Sequence, residues 1–261
     1  MIGWCKRCTV VAVTTVLALA GPALAGQPRV AIIIDDMGQH RGLGLRALRL
    51  PGSVSYAFLP SGRHTRFLAN RAHTLDRDVL LHQPMQPVSR SRTGHSGIGL
   101  DSTRDQIRQT VRDNLSAVPH AVGVNNHQGS LVTRHPGHMS WLMQSLRAQG
   151  DLFFVDSRTT SRTVAERMAR ELGVPAADRD VFLDHERDGA AIAAQFDRLV
   201  RVARRQGEAV AIGHPHPQTL RVLANRLPEL AKRDITLVGI SELVRRKDEE
   251  VKPSWRVSSS H

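Results

Sequence analysis

Residues Val30–Asp36 read VAIIIDD, an apolar run that ends in two adjacent carboxylates. An uninterrupted apolar run rich in Ile and Val is typical of a strand buried on both faces of a parallel sheet. Asp35 and Asp36 at its end would repel each other, and an ionised carboxylate is seldom buried without a partner. A bound divalent cation resolves the conflict, because one carboxylate can ligate it and leave the other as a base.

Seven further apolar runs follow, with helical patterns and short connections between them. The predicted strands after the first (29–34) span 53–58, 78–82, 121–126, 152–156, 180–184, 209–214 and 236–241. The predicted helices span 42–50, 63–74, 102–117, 137–149, 162–172, 189–206 and 218–231, with a last one from Ser241. We expect a capping box of Ser102 and Asp105 to begin the third helix.

This alternation predicts an α/β fold, a single (β/α) barrel of parallel strands that is complete or slightly open. An open doubly wound sheet is the alternative, because periodicity does not separate the two. The long polar stretch 83–100 is predicted to be a flap that faces the substrate.

The first 25 residues have the pattern of a cleaved secretory signal. Lys6 and Arg7 precede an apolar segment at 9–20, and Ala23–Ala25 (ALA) is a cleavage site. The apolar segment is short for a membrane span, although an uncleaved anchor is the alternative. We expect a signal peptide at 1–25, a barrel domain at 26–246, a flexible tail at 247–261, and a periplasmic or secreted location.

Cysteine and charge content narrow the chemistry and the partners. Cys5 and Cys8, the two cysteines, lie inside the signal, so any metal site must use His, Asp, Glu, Asn or Gln. The net charge of +12 becomes +10 when Lys6 and Arg7 are removed, which favours anionic partners. Arginines on solvated helix faces are the alternative source of this charge. A single tyrosine and no aromatic–basic stripe argue against nucleic acid.

Residues of metal-ligand or acid–base type end most of the predicted strands, and these ends meet at one face of a barrel. They are Asp35, Asp36, His82, Asn125, Asn126, His127, Asp156, Asp184, His185, His214 and His216. Structural alternatives remain open for several of them. His82 could be a core histidine, Asn125 and Asn126 a polar turn, and Asp156 a helix N-cap. The run from Asp184 to Glu186 is charged throughout, which indicates a solvated segment.

Five motifs resemble those of the divergent polysaccharide deacetylase family, over residues 28–245. They are IDDMG (34–38), LHQPM (81–85), GVNNHQGS (123–130), FVDSRT (154–159) and IGHPHP (212–217). The resemblance implies a distorted (β/α) barrel of about seven to eight parallel strands. It also implies a divalent metal, with zinc as the expected ion, and hydrolysis of N-acetyl groups on an envelope polysaccharide.

The resemblance also implies roles for the motif residues. Asp35 matches the general base, and Asp36 and His82 match metal ligands. The chain departs from the usual HxxxH pair because Gln86 stands at the second histidine, so His127 is the expected third ligand. It also lacks the Arg-Pro-Pro run that holds the base in standard members.

Late in the chain, His214 matches the histidine that protonates the leaving amine, and Asp156 the acidic residue that tunes it. The expected substrate-binding residues are Asn125, Asn126, Arg158 and His216. Two other functions remain open. One is an envelope protein that binds glycan or a partner without catalysis, and the other is a metal phosphodiesterase. The sequence leaves the oligomeric state open.

Overall fold

The computed structural model describes residues 27–89, 94 and 96–251, and this part of the chain forms nine strands and eight α-helices. The strands are β1 (Arg29–Met37), β2 (Ser55–Phe58), β3 (Val79–Met85), β4 (Ala121–Gln128), β5 (Phe153–Asp156), β6 (Ala176–Asp178), β7 (Val181–Phe182), β8 (Glu208–Gly213) and β9 (Thr236–Leu237). The helices are α1 (Arg41–Ala47), α2 (Thr65–His73), α3 (Arg104–Ala117), α4 (Pro136–Arg147), α5 (Ala165–Glu171), α6 (Gly189–Gln206), α7 (Pro217–Arg226) and α8 (Ile240–Val251).

The strands form one parallel sheet in the order β6-β5-β4-β3-β2-β1-β8-β7, with β9 beside β1. Neighbouring strands in this order are consecutive in the chain, apart from β1 beside β8. A doubly wound sheet would instead reverse its strand order at a central switch point. The open-sheet alternative is therefore wrong, and the distorted (β/α) barrel is confirmed.

The two ends of this strand order lie next to each other, because only Arg179 and Asp180 separate β6 from β7. The backbone N–H of Arg179 donates to Asp156 on the β5 side, and that of Asp180 donates to Val210 on the β8 side, both at 2.9 Å. One short segment thus connects the two edges of the curled sheet.

Side chains of the strands alternate between an inner and an outer core, as the two-residue period of a strand requires. Ile32 and Ile34 of β1 pack in the outer layer against the helices, whereas Ile33 packs in an inner cluster. Leu243 of α8 belongs to the inner cluster as well. Because α8 starts against Ser55 and Asp78, at the amino ends of β2 and β3, it covers that end of the barrel. The opposite end is left for a site.

The structure corrects several local predictions. The strand β6 was missed, since its sequence AAD is too short and too small to stand out. The capping box of α3 is formed by Thr103 and Gln106, one residue later than predicted. The predicted flap is shorter than expected, because β3 runs to Met85 and Ile98 bridges to it.

The predicted ends of the domain are only partly described. The helix α8 runs to Val251, so the predicted tail is helical in its first residues. The signal peptide at 1–25 and the tail beyond 251 lie outside the described residues. Among the residues that are described, no helix is long and apolar enough to cross a membrane.

Candidate active site

The two carboxylates of β1 sit on a β-bulge. The register between β1 and β2 shifts between Ile34 and Met37, and Asp36 has a φ of 54°. Aspartate tolerates this left-handed region better than most residues do, and a bulge changes the direction of a side chain. As a result Asp35 and Asp36 both approach Nε2 of His82, at 3.5 and 3.3 Å. Alternation along a regular strand would have separated them.

The three predicted metal ligands lie together. Asp36 Oδ1 is 3.0 Å from His127 Nδ1 and 3.3 Å from His82 Nε2, and the two imidazole nitrogens are 3.2 Å apart. The β3–β4 register explains this, because His82 pairs with Asn125 and Pro84 with His127. His82 and His127 therefore project at neighbouring positions on the carboxyl ends of adjacent strands.

This triangle fits a divalent metal ion. Ligand atoms about 2.0–2.1 Å from a tetrahedral ion are about 3.3 Å from one another, close to the three distances observed. Asp36 Oδ1 is buried and has no hydrogen-bond partner in the described part of the chain, which is costly unless something else satisfies it. Two imidazole nitrogens thus lie within 3.3 Å of a buried carboxylate oxygen that accepts no hydrogen bond in the described residues.

A second group of possible ligands comprises Asp184, His214 and His216. It fits an ion less well, because both oxygens of Asp184 are already used. Oδ1 lies 2.9 Å from His214 Nδ1, and Oδ2 accepts from the backbone N–H of His214 and from Thr219, both at 2.7 Å. Asp36, His82 and His127 are therefore the better candidates for metal ligands.

Asn125 fixes the protonation of His82. Its amide nitrogen donates to Asp35 Oδ1 at 2.8 Å, since a carboxylate only accepts. Its amide oxygen then faces His82 Nδ1 at 2.8 Å and requires a proton there. The lone pair of Nε2 is left free to point at Asp36 and His127, as a metal ligand needs. Asn125 is fully buried, and its side chain contacts His82 and Asp35, so in this structure it positions those two residues.

Burial and charge shift the titration of this cluster in opposite directions. Burial raises the pKa of Asp35, and the nearby charges of His82 and His214 only partly offset it. Burial would also raise the pKa of Asp36, but His127 and His82 hold it far below its ordinary value. Burial would lower the pKa of His82, but Asp35 and Asp36 raise it. Asp35 and Asp36 thus require positive charge beside them. A bound metal ion would supply that charge, and its binding would release protons from the cluster.

His214 faces the cluster from β8 and is held by Asp184. Its Nε2 lies 3.9 Å from Asp36 Oδ2, while its Nδ1 contacts Asp184. Burial alone would lower the pKa of His214, but the bond to Asp184 and the charge of Asp35 raise it to about 9. His214 therefore carries a proton at neutral pH, which suits a general acid.

Asp156 was predicted to tune His214, and the structure gives this position to Asp184. Asp156 Oδ1 accepts from the backbone N–H of Arg158 at 2.8 Å, and Oδ2 accepts from Thr163 at 2.6 Å. The Asp156 carboxylate therefore holds the loop after β5 in place. This structural role is similar to the N-cap role that the sequence left open. Asp184 was discounted because charged residues surround it, yet it is only 4% exposed and ends a predicted strand. The strand-end rule alone would have found it.

A cavity of about 400 Å³ opens beside the cluster and is bordered by Asp35, His82, His127 and His214. Arg158 also borders it and is exposed, and its contact to substrate stays a prediction. Asn126 contributes to the wall, but its amide is bonded to the backbone of Ser157 and Gln128, so its role is structural.

The remaining predicted positions lie around this cavity or away from it. His216 borders a smaller adjoining cavity of about 250 Å³, next to His214. Burial and the neighbouring charge of Arg187 lower the pKa of His216. Gln86 is outside both cavities in the described structure, and its side chain accepts from the backbone of Leu100 at 2.9 Å.

Arg179 was missed by the sequence analysis. It borders the main cavity, and its guanidinium donates to the carbonyls of Ser157 and Arg158 and stacks over the ring of Phe182. Burial lowers its pKa, and the charge of Asp35 acts in the opposite direction. Arg179 thus places a positive charge near the candidate base. No strand-end pattern marked it, because it lies in the two-residue connection between β6 and β7.

One rim of the (β/α) barrel thus carries three possible metal ligands, a buried carboxylate and a histidine held by a second carboxylate. The family model for divergent polysaccharide deacetylases matches residues 32–244, and the chain belongs to that family. An uncharacterized protein of Escherichia coli, YibQ, is 40% identical over 238 residues, which are 91% of this chain and 73% of that protein. A Haemophilus influenzae relative, also uncharacterized, is 39% identical over 84% of this chain and 78% of its own.

Solved structures share the fold at lower identity. The uncharacterized protein ATU2773 of Agrobacterium tumefaciens has a TM-score of 0.80 and 24% identity, over 85% of this chain and 91% of that one. The peptidoglycan deacetylase PdaC of Bacillus subtilis has a TM-score of 0.53 and 13% identity, over 90% and 99%. BA3943 of Bacillus anthracis, a pseudoenzyme of carbohydrate esterase family 4, has a TM-score of 0.51 and 14% identity, over 84% and 66%.

Proposed function

We propose that this protein is a metal-dependent deacetylase that removes N-acetyl groups from an envelope polysaccharide. The observation that carries the proposal is the approach of His82 and His127 to the buried Oδ1 of Asp36, which accepts no hydrogen bond in the described residues, beside a cavity that Asp35 and His214 also border. We further propose zinc as the ion, because two imidazoles and one carboxylate are ligands that zinc accepts in open catalytic sites. The signal sequence supports a location in the periplasm or outside the cell.

The residues divide the work of amide hydrolysis among them. An ion held by Asp36, His82 and His127 would polarise the acetyl carbonyl and make a water molecule more acidic. Asp35 accepts the proton of the attacking water, and its raised pKa makes it a stronger base than an exposed aspartate. Asn125 holds Asp35 in place through its amide nitrogen.

His214 completes the reaction from the opposite wall. Its pKa of about 9 keeps it protonated at neutral pH, so it can give a proton to the amine nitrogen as the C–N bond breaks. Asp184 holds the Nδ1 side of the ring and leaves Nε2 facing the site. Acetate and a free amine on the glycan are the products.

The test is acetate release from N-acetylglucosamine oligomers and from purified cell-wall glycan by the zinc-loaded mature protein. Asp35→Asn should lower kcat by at least about 100-fold, on the scale of a lost general base, and leave the metal content unchanged. Arg46→Gln, on the exposed side of α1, is the control and should retain activity. A metal-replete wild-type protein that releases no acetate from any N-acetylated glycan would overturn the proposal.

That negative result would favour the second candidate, an envelope protein that binds glycan without catalysis. The observation that favours this candidate is Gln86, which stands where standard members have a metal histidine and is bonded away from the site. The fold is also shared by the pseudoenzyme BA3943, so the fold alone does not establish turnover. Glycan binding that survives Asp35→Asn, without acetate release by the wild type, identifies this function.

A further inference from the structure

A basic groove lies on the same rim of the barrel as the candidate active site. It has a volume of about 540 Å³ and is lined by residues 39–43, which follow β1 and run into the start of α1, and by residues 63–64 after β2. Gln39, the first lining residue, follows Asp36 by three positions, so at most about 11 Å of extended chain separates them. The backbone N–H of His64 donates to the carbonyl of Gly38 at 2.8 Å, which joins the two segments.

The charge in this groove is not neutralised by nearby carboxylates. Between Asp36 and Asp76 the chain contains six arginines, three histidines and no acidic residue. Two of these arginines, Arg41 and Arg63, line the groove together with His40 and His64. Arg41 and Arg63 are exposed, and neither has an ion-pair partner in the described residues.

Arg41 is also held in place before any ligand binds. Its guanidinium lies over the ring of Phe67 at 4.7 Å from the ring centroid, and Phe67 is 44% exposed. Such stacking leaves the in-plane N–H donors of the guanidinium available. A planar guanidinium with free donors is suited to bidentate recognition of a carboxylate or a phosphate.

We propose that this groove is an anion subsite, which binds a carboxylate or phosphate substituent on the glycan whose N-acetyl group enters the site. The inference rests on the proposed function, which it deepens: the substrate is an anionic polymer and not a neutral one. Arg41 and Arg63 would fix the register of the chain, so that an acetylated sugar lies at Asp35 when an anionic group lies in the groove.

The test is direct binding of three N-acetylglucosamine oligomers of equal length: neutral, with a carboxylate-bearing ether, and with a phosphate monoester. We expect one or both anionic oligomers to bind about tenfold more tightly than the neutral one at low salt. The oligomer that binds more tightly shows whether the groove prefers a carboxylate or a phosphate. The double variant R41Q/R63Q should lose this preference. The control R46Q/R49Q removes the same charge from the same acid-free segment outside the groove, and should keep it.

Equal binding of all three oligomers by the wild type would overturn the inference, as would equal loss of preference in both double variants. Thermal unfolding of each variant confirms that the fold is kept. Because the quantity compared is binding affinity and not acetate release, these outcomes are separate from those of the proposed function. Acetate release from neutral oligomers without any anion preference would leave the deacetylase intact and remove only the subsite.

Discussion

At the scale of single residues, the pairing of His214 with Asp184 decides the acid–base properties of the site. Asp184 is buried two residues after β7 and contacts both the ring and the backbone N–H of His214. The pKa of Asp184 is lowered: burial acts against this, but the contacts with His214 outweigh it. The pair is therefore an ionised carboxylate beside an imidazolium at neutral pH.

Asp184→Asn should bring the pKa of His214 down from about 9 toward the ordinary value of about 6.5, because the adjacent negative charge is lost. Titration of the imidazole signals by NMR measures this without any substrate. Asp156→Asn is the matched comparison and should leave the His214 titration in place. A lowered His214 pKa in Asp156→Asn, with none in Asp184→Asn, would return the tuning role to Asp156.

Most of the reactive residues could be predicted because a parallel barrel gathers strand ends on one face. Each of Asp35, Asp36, His82, His127 and His214 lies at the end of a predicted strand or within two residues of it, so the strand pattern of the sequence is enough to find them. Arg179 and Asn125 show the limit of that rule. The place of Arg179 depends on how the sheet edges meet, and the role of Asn125 depends on which atoms its amide faces.

At the scale of elements, the bulge in β1 and the cap of α3 show how local structure is set. The bulge at Asp36 depends on a positive φ that no periodic pattern reveals. In the cap, Thr103 accepts from the backbone N–H of Gln106, and the Gln106 side chain accepts from the backbone N–H of Thr103. Ser102 and Asp105 offered the same motif one residue earlier, so sequence alone could not choose the register.

Thr103→Ala should lower the free energy of unfolding by about 1 kcal/mol, because it removes the side-chain half of the capping box. Asp105→Asn, which alters the residue that sequence alone placed in the box, should change it by less than about 0.5 kcal/mol. Urea denaturation of the two variants beside the wild type measures both values. The reverse order of effects would restore the predicted cap.

At the scale of the whole molecule, the barrel depends on the short segment from β6 to β7 that joins its edges. Asp178 ends β6 beside Asp156 and is paired with Arg158 at 3.4 Å. Burial, with the charges of Asp156 and Glu166, raises the pKa of Asp178 to about 6. Asp178, next to the segment that joins the two sheet edges, is therefore a carboxyl group whose protonated form the folded state favours.

This preference gives the stability of the protein a definite pH dependence. Between about pH 4 and 6 the folded chain binds a proton at Asp178 that the unfolded chain releases, so this group makes the fold less stable as pH rises through that window. Asp178→Asn should stabilise the protein by about 1 kcal/mol at pH 7. This value is reduced from the roughly 3 kcal/mol that the pKa implies, because solvent screens a side chain that is 34% exposed.

The difference should be smallest at pH 4, since the folded wild type then also carries a neutral group at that position. Urea denaturation at pH 4, 5, 6 and 7 tests this. A difference in unfolding free energy that is constant across the four pH values would contradict the assignment to Asp178.

The central claim, that Asp36, His82 and His127 form a metal site, is tested most directly by the metal content of the purified mature protein. Elemental analysis should find about one divalent ion per chain in the wild type and in His216→Ala, and none in Asp36→Ala or His127→Ala. Loss of the ion in His216→Ala with retention in His127→Ala would move the site to Asp184, His214 and His216. A folded wild-type protein that holds no ion, and takes up none on titration with zinc, would contradict the claim.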